Sequence, residues 1–176
     1  MSDAPLLVFF CGKMAAGKST LARRLAERHH AILLEQDAFT ERLYPGEVTD
    51  VAAYLRCSTR IGQVVQPLVC DLLSRGLSVV LDFPANTLRQ RAWFREILTR
   101  TPVRHELHFI DLPDEQCKAQ LRQRSAGLPA GSPWTSAAAF DAITAYFQAP
   151  ATEEGFNVIL HRPARAGENP AGHAGE

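Results

Sequence analysis

Two hydrophobic patterns alternate along the chain. Leu6 to Cys11 is an unbroken apolar run, expected of a central parallel strand covered on both faces. In the stretch Leu21 to His29, Leu21, Ala22, Leu25 and Ala26 fall on one helical face while Arg23, Arg24, Glu27 and Arg28 fall on the other. Ala31 to Leu34 reads as a second strand, and Tyr44-Pro45-Gly46-Glu47 as a turn. Thr49 or Asp50 is placed to cap a short helix over residues 51–56. A longer helix follows over residues 58–75, its stripe formed by Ile61, Val64, Val65, Leu68, Val69, Leu72 and Leu73 and its end marked by Gly76; Pro67 predicts a kink.

The alternation continues. Leu77 to Asp82 is a third strand, and Asn86 or Thr87 caps a helix reaching about Arg100. Arg104 to Asp111 is a fourth strand, and Pro113-Asp114 starts a helix with Arg122 and Arg124 toward its end. Residues 126–134 lack periodicity and read as a mobile loop. Thr135 or Ser136 caps a helix holding Phe140, Ile143 and Phe147, closed by Pro150, and Asn157 to Leu160 is a fifth strand. From Pro163 the composition collapses to Pro, Ala, Gly, Glu and His, which predicts a disordered tail over residues 163–176. The sum is one α/β domain over residues 1–162, a parallel sheet with helices on both faces.

Composition narrows the function classes. With 176 residues, 46% hydrophobic and 22% charged, the chain suits one globular domain. Its 19 basic residues balance 19 acidic ones, so no global field recruits nucleic acid or membrane, and only a local basic groove stays open. Cys11, Cys57, Cys70 and Cys117 show no C-x-x-C pairing, which argues against a zinc site or a disulfide framework and for a reducing compartment. The N-terminus carries no basic leader, and the apolar run behind it is too short for a signal peptide or a span. A cytoplasmic location is the expectation.

Between Gly12 and Ser19 the chain reads G-x-x-x-x-G-K-S, directly between the first strand and the first helix. That is the setting a phosphate-binding loop requires. Gly12 and Gly17 let the backbone of Lys13, Met14, Ala15 and Ala16 curl with its N–H groups inward, forming an anion nest. The helix opening at Lys18, Ser19 and Thr20 adds unpaired donors and a positive dipole end. Lys18 is placed to reach the β- and γ-phosphates of ATP and the Ser19 hydroxyl to ligate Mg²⁺. A chance match in a Gly-rich turn is the plain alternative.

Two acids stand where ligands bind an open sheet, at carboxyl ends of strands. Asp82 ends the third strand, as a magnesium ligand or as a cap for the next turn. Asp37 follows the second strand, as a base that orients an attacking hydroxyl or as a helix N-cap. Glu35 is placed less well, because alternation turns it away. Arg122 and Arg124, before the Gly/Pro-rich loop, are candidate lid arginines over ATP; dipole complementation at a helix end is their other reading, and two residues apart they cannot aim at one spot. Arg89, Arg91 and Arg95, on the helix after Asp82, are candidates for holding an anionic substrate, but a solvated helix face is the expected reading. Trp134 and Phe39 are candidates for stacking or for packing, and the histidines show no H-x-x-x-H pattern.

Taken together, the P-loop at Gly12 to Thr20, the Asp37 segment, L-S-V-V-L-D-F-P-A-N-T at 77–87, L-R-Q-R at 121–124 and the ending Y-F-Q-A-P-A-T-E-E-G-F-N-V-I resemble the small P-loop kinase-like ATP-binding proteins. That group includes polynucleotide kinases, zeta toxins and chloramphenicol phosphotransferases. The resemblance covers about residues 5–162. It implies a P-loop NTPase sheet of kinase-type order 2-3-1-4-5, ATP with Mg²⁺ on the loop, an acceptor hydroxyl near Asp37 and a lid at about residues 122–136. The spacing of Arg122 and Arg124 is tighter than the usual R-x-x-x-R of such lids. The reading that follows is transfer of the γ-phosphoryl group of ATP to a small-molecule hydroxyl. Transfer to a nucleic-acid 5′-hydroxyl, disfavoured by the neutral charge, and a non-catalytic ATP-dependent regulatory module are the alternatives.

Overall fold

The computed structural model describes residues 4–129 and 131–163. Five parallel strands, β1 (Leu6–Gly12), β2 (Ile32–Glu35), β3 (Val79–Pro84), β4 (Arg104–Ile110) and β5 (Val158–His161), form one sheet in the order β2-β3-β1-β4-β5. The helices are α1 (Lys18–Arg28), α2 (Gln36–Leu43), α3 (Val51–Ser74), α4 (Leu88–Arg100), α5 (Asp114–Ser125) and α6 (Ala137–Thr144). The order is the one implied by the kinase-like resemblance.

β1 lies at the centre because all seven of its residues are buried. Its side chains divide between two cores by strand alternation. Leu7, Phe9 and Cys11 face α3 and α4, meeting Ile61, Val65, Val69, Phe94 and Ile97. Leu6, Val8 and Phe10 face the other way, onto Leu21 and Leu25 of α1, Leu121 of α5 and Phe140 of α6. The molecule is therefore three layers, helix on sheet on helix. Aromatic rings brace the first core: Phe9 stacks on Phe94 at 4.2 Å, and Phe83 stacks on Trp93 at 5.6 Å. Full burial of a ring such as Phe9 contributes about 1.5–3 kcal/mol.

Several boundaries differ from the sequence reading. The short and long helices expected around residue 57 are one helix, α3, capped by the Asp50 side chain, which accepts from the Ala53 N–H at 2.8 Å. Ala53, Cys57, Ile61, Val65, Val69 and Leu73, four residues apart, form a continuous buried seam, and no breaker interrupts it at Cys57. The helix runs unbroken through Pro67. β2 is shifted by one residue and includes Glu35, and α2 follows it with no connecting loop. β5 likewise begins one residue later than expected and includes His161. α6 ends at Thr144, so Phe147 lies beyond it, where its ring meets Phe109. The tail expected over residues 163–176 falls, beyond Pro163, outside the described residues.

A larger departure concerns Arg91. It was expected on a solvated face, yet it is 1% exposed. The helix turns it inward onto Glu154, whose carboxylate accepts from Nε at 2.6 Å and from Nη2 at 2.9 Å. Arg89 is exposed as expected, while Arg95 lies with its guanidinium over the Phe156 ring at 4.0 Å. His108 of β4 is buried between Glu106 and His161 at hydrogen-bond distance from both.

Candidate active site

The loop joining β1 to α1 is shaped by its two glycines. A Cβ on Gly12 would sit 3.1 Å from the Ile110 carbonyl oxygen, a tight contact, so a side chain there would press the end of β1 away from β4. Gly17 has φ +96°, the left-handed region open to glycine, and its turn starts α1. No side chain caps that helix and no acid lies in its first turn. The first N–H groups of α1 are thus left for a ligand, at the positive end of the helix dipole.

Lys18 is the first residue of α1. Its ammonium donates to the Gly12 carbonyl at 2.6 Å and to the Lys13 carbonyl at 2.8 Å, folding back over the loop. Burial pulls its pKa below the ordinary lysine value, while the Asp82 and Asp37 carboxylates oppose the shift. The Ser19 hydroxyl, one residue on, stands close enough to the Asp82 carboxylate to favour its charged form. Burial raises the Asp82 carboxyl above its ordinary value, and the Ser19 hydroxyl and Lys18 partly offset this. Lys13 is paired with Asp114 at the start of α5 and lies 5.8 Å over the Phe147 ring.

Asp82 reaches this position through a break in the β1–β3 ladder. Phe9 pairs with Leu81 but Phe10 pairs with Pro84, so Asp82 and Phe83 have no partner on β1. On its other side Asp82 pairs with Glu35 of β2. Glu35 is engaged by Arg23 of α1 at 2.8 Å, a pair on the α1 side of the sheet.

Asp37 lies one residue inside α2, in the helix's first turn, and is exposed. It forms no side-chain cap; the N-cap position belongs to Glu35. Behind it the Gln36 side chain is buried and donates to the Tyr54 hydroxyl of α3 at 3.0 Å. Tyr54 is pushed up to about 12 by burial, with the bond from Gln36 opposing and the Asp37 charge adding. Across from it Trp134 meets the Tyr54 ring edge-on at 6.3 Å. Trp134 therefore packs on the α2–α3 side, while Phe39 packs on Phe83 at 6.4 Å.

Arg122 and Arg124 are exposed in the last turn of α5. Two residues apart on a helix, they point about 160° away from each other. Among the described residues no hydrogen bond ties either to the phosphate loop. Met14, Ala15 and Ala16 complete the loop, with Ala15 in the left-handed region at φ 60°, and Thr20 is exposed in the first turn of α1. Beside Lys13 an open cleft of about 310 Å³ is lined by Asp111, Leu112, Pro113, Arg162 and Pro163.

One residue of the site passed as a helix-cap candidate. The Asn86 carboxamide oxygen accepts from the Gly12 N–H at 2.9 Å, linking the end of β3 to the loop. The cap itself is Thr87, whose hydroxyl accepts from Gln90 N–H at 3.1 Å. No sequence pattern ties residue 86 to residue 12, so only the parallel pairing of β1 and β3 exposes this bond.

The donor set suits a hard divalent cation. A hydroxyl and a carboxylate, Ser19 and Asp82, stand near one another at the start of α1, and magnesium takes one or two protein oxygens and fills the remainder of its shell with phosphate and water. Among the described residues no group of three or more His, Cys, Asp or Glu side chains could hold a metal alone. No helix among them is long and apolar enough to cross a membrane.

Comparison with known proteins bears on the fold. No curated protein matches the chain. Among solved structures, a candidate kinase from Chloroflexus aurantiacus superposes with a TM-score of 0.70 at 19% identity, covering 92% of this chain and 87% of that one. The APS kinase CysC of Mycobacterium tuberculosis, in complex with AMPPNP and APS, gives 0.59 at 20% identity over 93% and 91%. A chain of the Pnkp1/Rnl/Hen1 RNA repair complex gives 0.64 at 20% identity, with 89% of this chain matched to 48% of that one. At these identities the likeness is one of fold. A family model described as an AAA domain (AAA_33) matches residues 7–150. The chain belongs to this AAA domain family of P-loop, kinase-like proteins.

Proposed function

We propose that the protein is an ATP-dependent phosphotransferase that moves the γ-phosphoryl group of ATP to a hydroxyl of a small molecule. The observation that carries this reading is the parallel order β2-β3-β1, which brings Asp37 after β2, Asp82 of β3 and Lys18 after β1 to the same end of the sheet, with both carboxylates acting on the Lys18 ammonium. The loop peptides and the start of α1 take the phosphates. Lys18 leaves its two loop carbonyls for the β- and γ-phosphate oxygens, the groups whose charge grows during transfer. Ser19 and Asp82 would hold Mg²⁺, which neutralises phosphate charge when bound. The nucleoside end has room in the cleft beside Lys13 and Arg162.

Asp37 stands on the opposite side of the loop from that cleft, on the first turn of α2. There its carboxylate serves as general base, orienting the acceptor hydroxyl and taking its proton as the oxygen attacks the γ-phosphorus; the bond to the β–γ bridging oxygen breaks and ADP leaves. Arg122, Arg124 and the 126–136 segment supply the lid, with one arginine reaching the transferring group on closure. Such general-base assistance is usually about 10²–10⁴-fold in rate. Turnover of MgATP with an acceptor panel, compared between wild type, Lys18→Ala and Asp37→Asn, tests the reading. Loss of turnover in Lys18→Ala with undiminished transfer in Asp37→Asn would remove Asp37 from its role.

A further inference from the structure

Asn86 stands at a gap in the sheet. Phe10 accepts from the Ala85 N–H at 3.1 Å, the last backbone bond between β1 and β3. In a parallel ladder the next rung would run from the Gly12 N–H to the Ala85 carbonyl. That carbonyl is turned away and accepts from Arg91 Nη1 at 2.9 Å. The Asn86 carboxamide oxygen takes its place at 2.9 Å from the Gly12 nitrogen. A side chain thus continues the ladder one rung beyond the backbone, at the first peptide of the phosphate loop.

Asn86 is itself held on two further sides. Its N–H donates to Gln90 Oε1 at 2.8 Å, and its carbonyl accepts from the Gln148 N–H at 2.8 Å. Gln148 in turn accepts from Leu88 N–H through its side chain at 2.9 Å, and its carbonyl accepts from Arg91 Nη1 at 2.8 Å. These bonds hold the Asn86 main chain, at its N–H and its carbonyl, to α4 and to the segment before β5, which fixes the point from which the carboxamide reaches Gly12. Beyond Gly12 the effect reaches the reacting end, because the carbonyl of that residue accepts the Lys18 ammonium at 2.6 Å.

We infer that Asn86 is a positioning residue of the phosphate site: it fixes the Gly12 peptide, and through it the direction of the loop donors and the seat of Lys18. The inference rests on the nucleotide reading above but not on the acceptor. It also gives the segment 148–154 a part in nucleotide binding without contact with the nucleotide.

The test uses the full chain and Asn86→Leu, which keeps the branched shape and removes the acceptor. Two quantities are read: the dissociation constant for MgATP by calorimetry, and hydrogen exchange of the Gly12 amide by NMR. Loss of one neutral hydrogen bond predicts affinity weaker by about tenfold. Gly12 should exchange faster while Leu7 to Phe10 stay protected. Asn86→Asp, which keeps an acceptor oxygen, should retain Gly12 protection, an outcome that general destabilisation would not produce. MgATP affinity within threefold of wild type in Asn86→Leu, or an equally protected Gly12, would overturn the inference. If Asn86→Leu does not fold, Gln90→Leu releases the Asn86 peptide alone, and unchanged Gly12 exchange there overturns it equally. A wild-type chain with no MgATP affinity would overturn the nucleotide reading, while Gly12 exchange would still decide the part played by Asn86.

Discussion

Replacing Glu154 by glutamine should unfold the protein far more readily than one surface substitution would. Arg91 is 1% exposed and makes five hydrogen bonds: two to Glu154 and one each to the carbonyls of Ala85, Gln148 and Ala149. Glu154→Gln keeps the shape but leaves the guanidinium buried without its counter-charge. Removing one partner of a buried pair costs about 3–5 kcal/mol. The carboxylate side chain is 15% exposed, so water offers partial relief and the lower end, about 3 kcal/mol, is expected. At this chain length that is a fall in Tm of roughly 6–12 °C. Arg91→Met with Glu154→Met should cost less than the sum of the single changes, because the double variant strands no charge. Burial works to raise the Glu154 carboxyl, but the bonds from Arg91 and from the Ala151 N–H outweigh it and leave the pKa below the ordinary glutamate value. The stability from this group is therefore complete above the unfolded pKa and is lost as pH falls through the lower folded one. Urea unfolding with unchanged slope, at neutral pH and across the acid range, measures both effects. Single variants within about 0.5 kcal/mol of wild type, with additive behaviour in the double variant, would refute the reasoning.

Three further outcomes follow from the site and the core. Asp82 must shed its proton to hold a cation, and burial raises its pKa; MgATP affinity should therefore weaken on acidification at a pH above the ordinary aspartate range, and Asp82→Asn should bind weakly with that acid limb absent. Calorimetric titrations at a series of pH values check this. Lys18→Ala should lower MgATP affinity and abolish turnover while leaving Tm within a few degrees of wild type, since its ammonium bonds only the loop carbonyls of Gly12 and Lys13. Gly62 of α3 lets Trp93 approach, with the indole nitrogen 3.2 Å from where a Cβ would stand. Gly62→Leu should overpack the α3–α4 contact and cost about 1–3 kcal/mol in urea unfolding.

The chain's own pattern revealed much of this architecture. The P-loop glycines, the strand runs and the helix stripes are local signals, each readable within a dozen residues, and they place β1 before the loop and α1 after it. What stayed hidden depends on long-range pairing. Arg91 looked solvated because its partner Glu154 is 63 residues away, and nothing in α4 alone distinguishes it from Arg89. His108 meets His161 only across the β4–β5 register. Asn86 was legible as a cap candidate and illegible as a rung to Gly12, since that bond exists only where β1 and β3 part. The break placed at residue 57 failed for the opposite reason: a turn and a proline bracket the region, yet the buried seam of α3 runs on through it.

The central claim is that the loop, Asp37 and Asp82 together transfer phosphate to a hydroxyl. Its most direct test is ³¹P NMR of the full chain with MgATP and pooled acceptors: sugars, polyols, nucleosides, hydroxylated antibiotics and a 5′-hydroxyl oligonucleotide. The account predicts a new phosphomonoester signal from one of the small molecules, growing with ADP, absent in Lys18→Ala and reduced by about 10²-fold or more in Asp37→Asn. ADP and inorganic phosphate alone across every acceptor class, or a phosphomonoester on the oligonucleotide only, would contradict it.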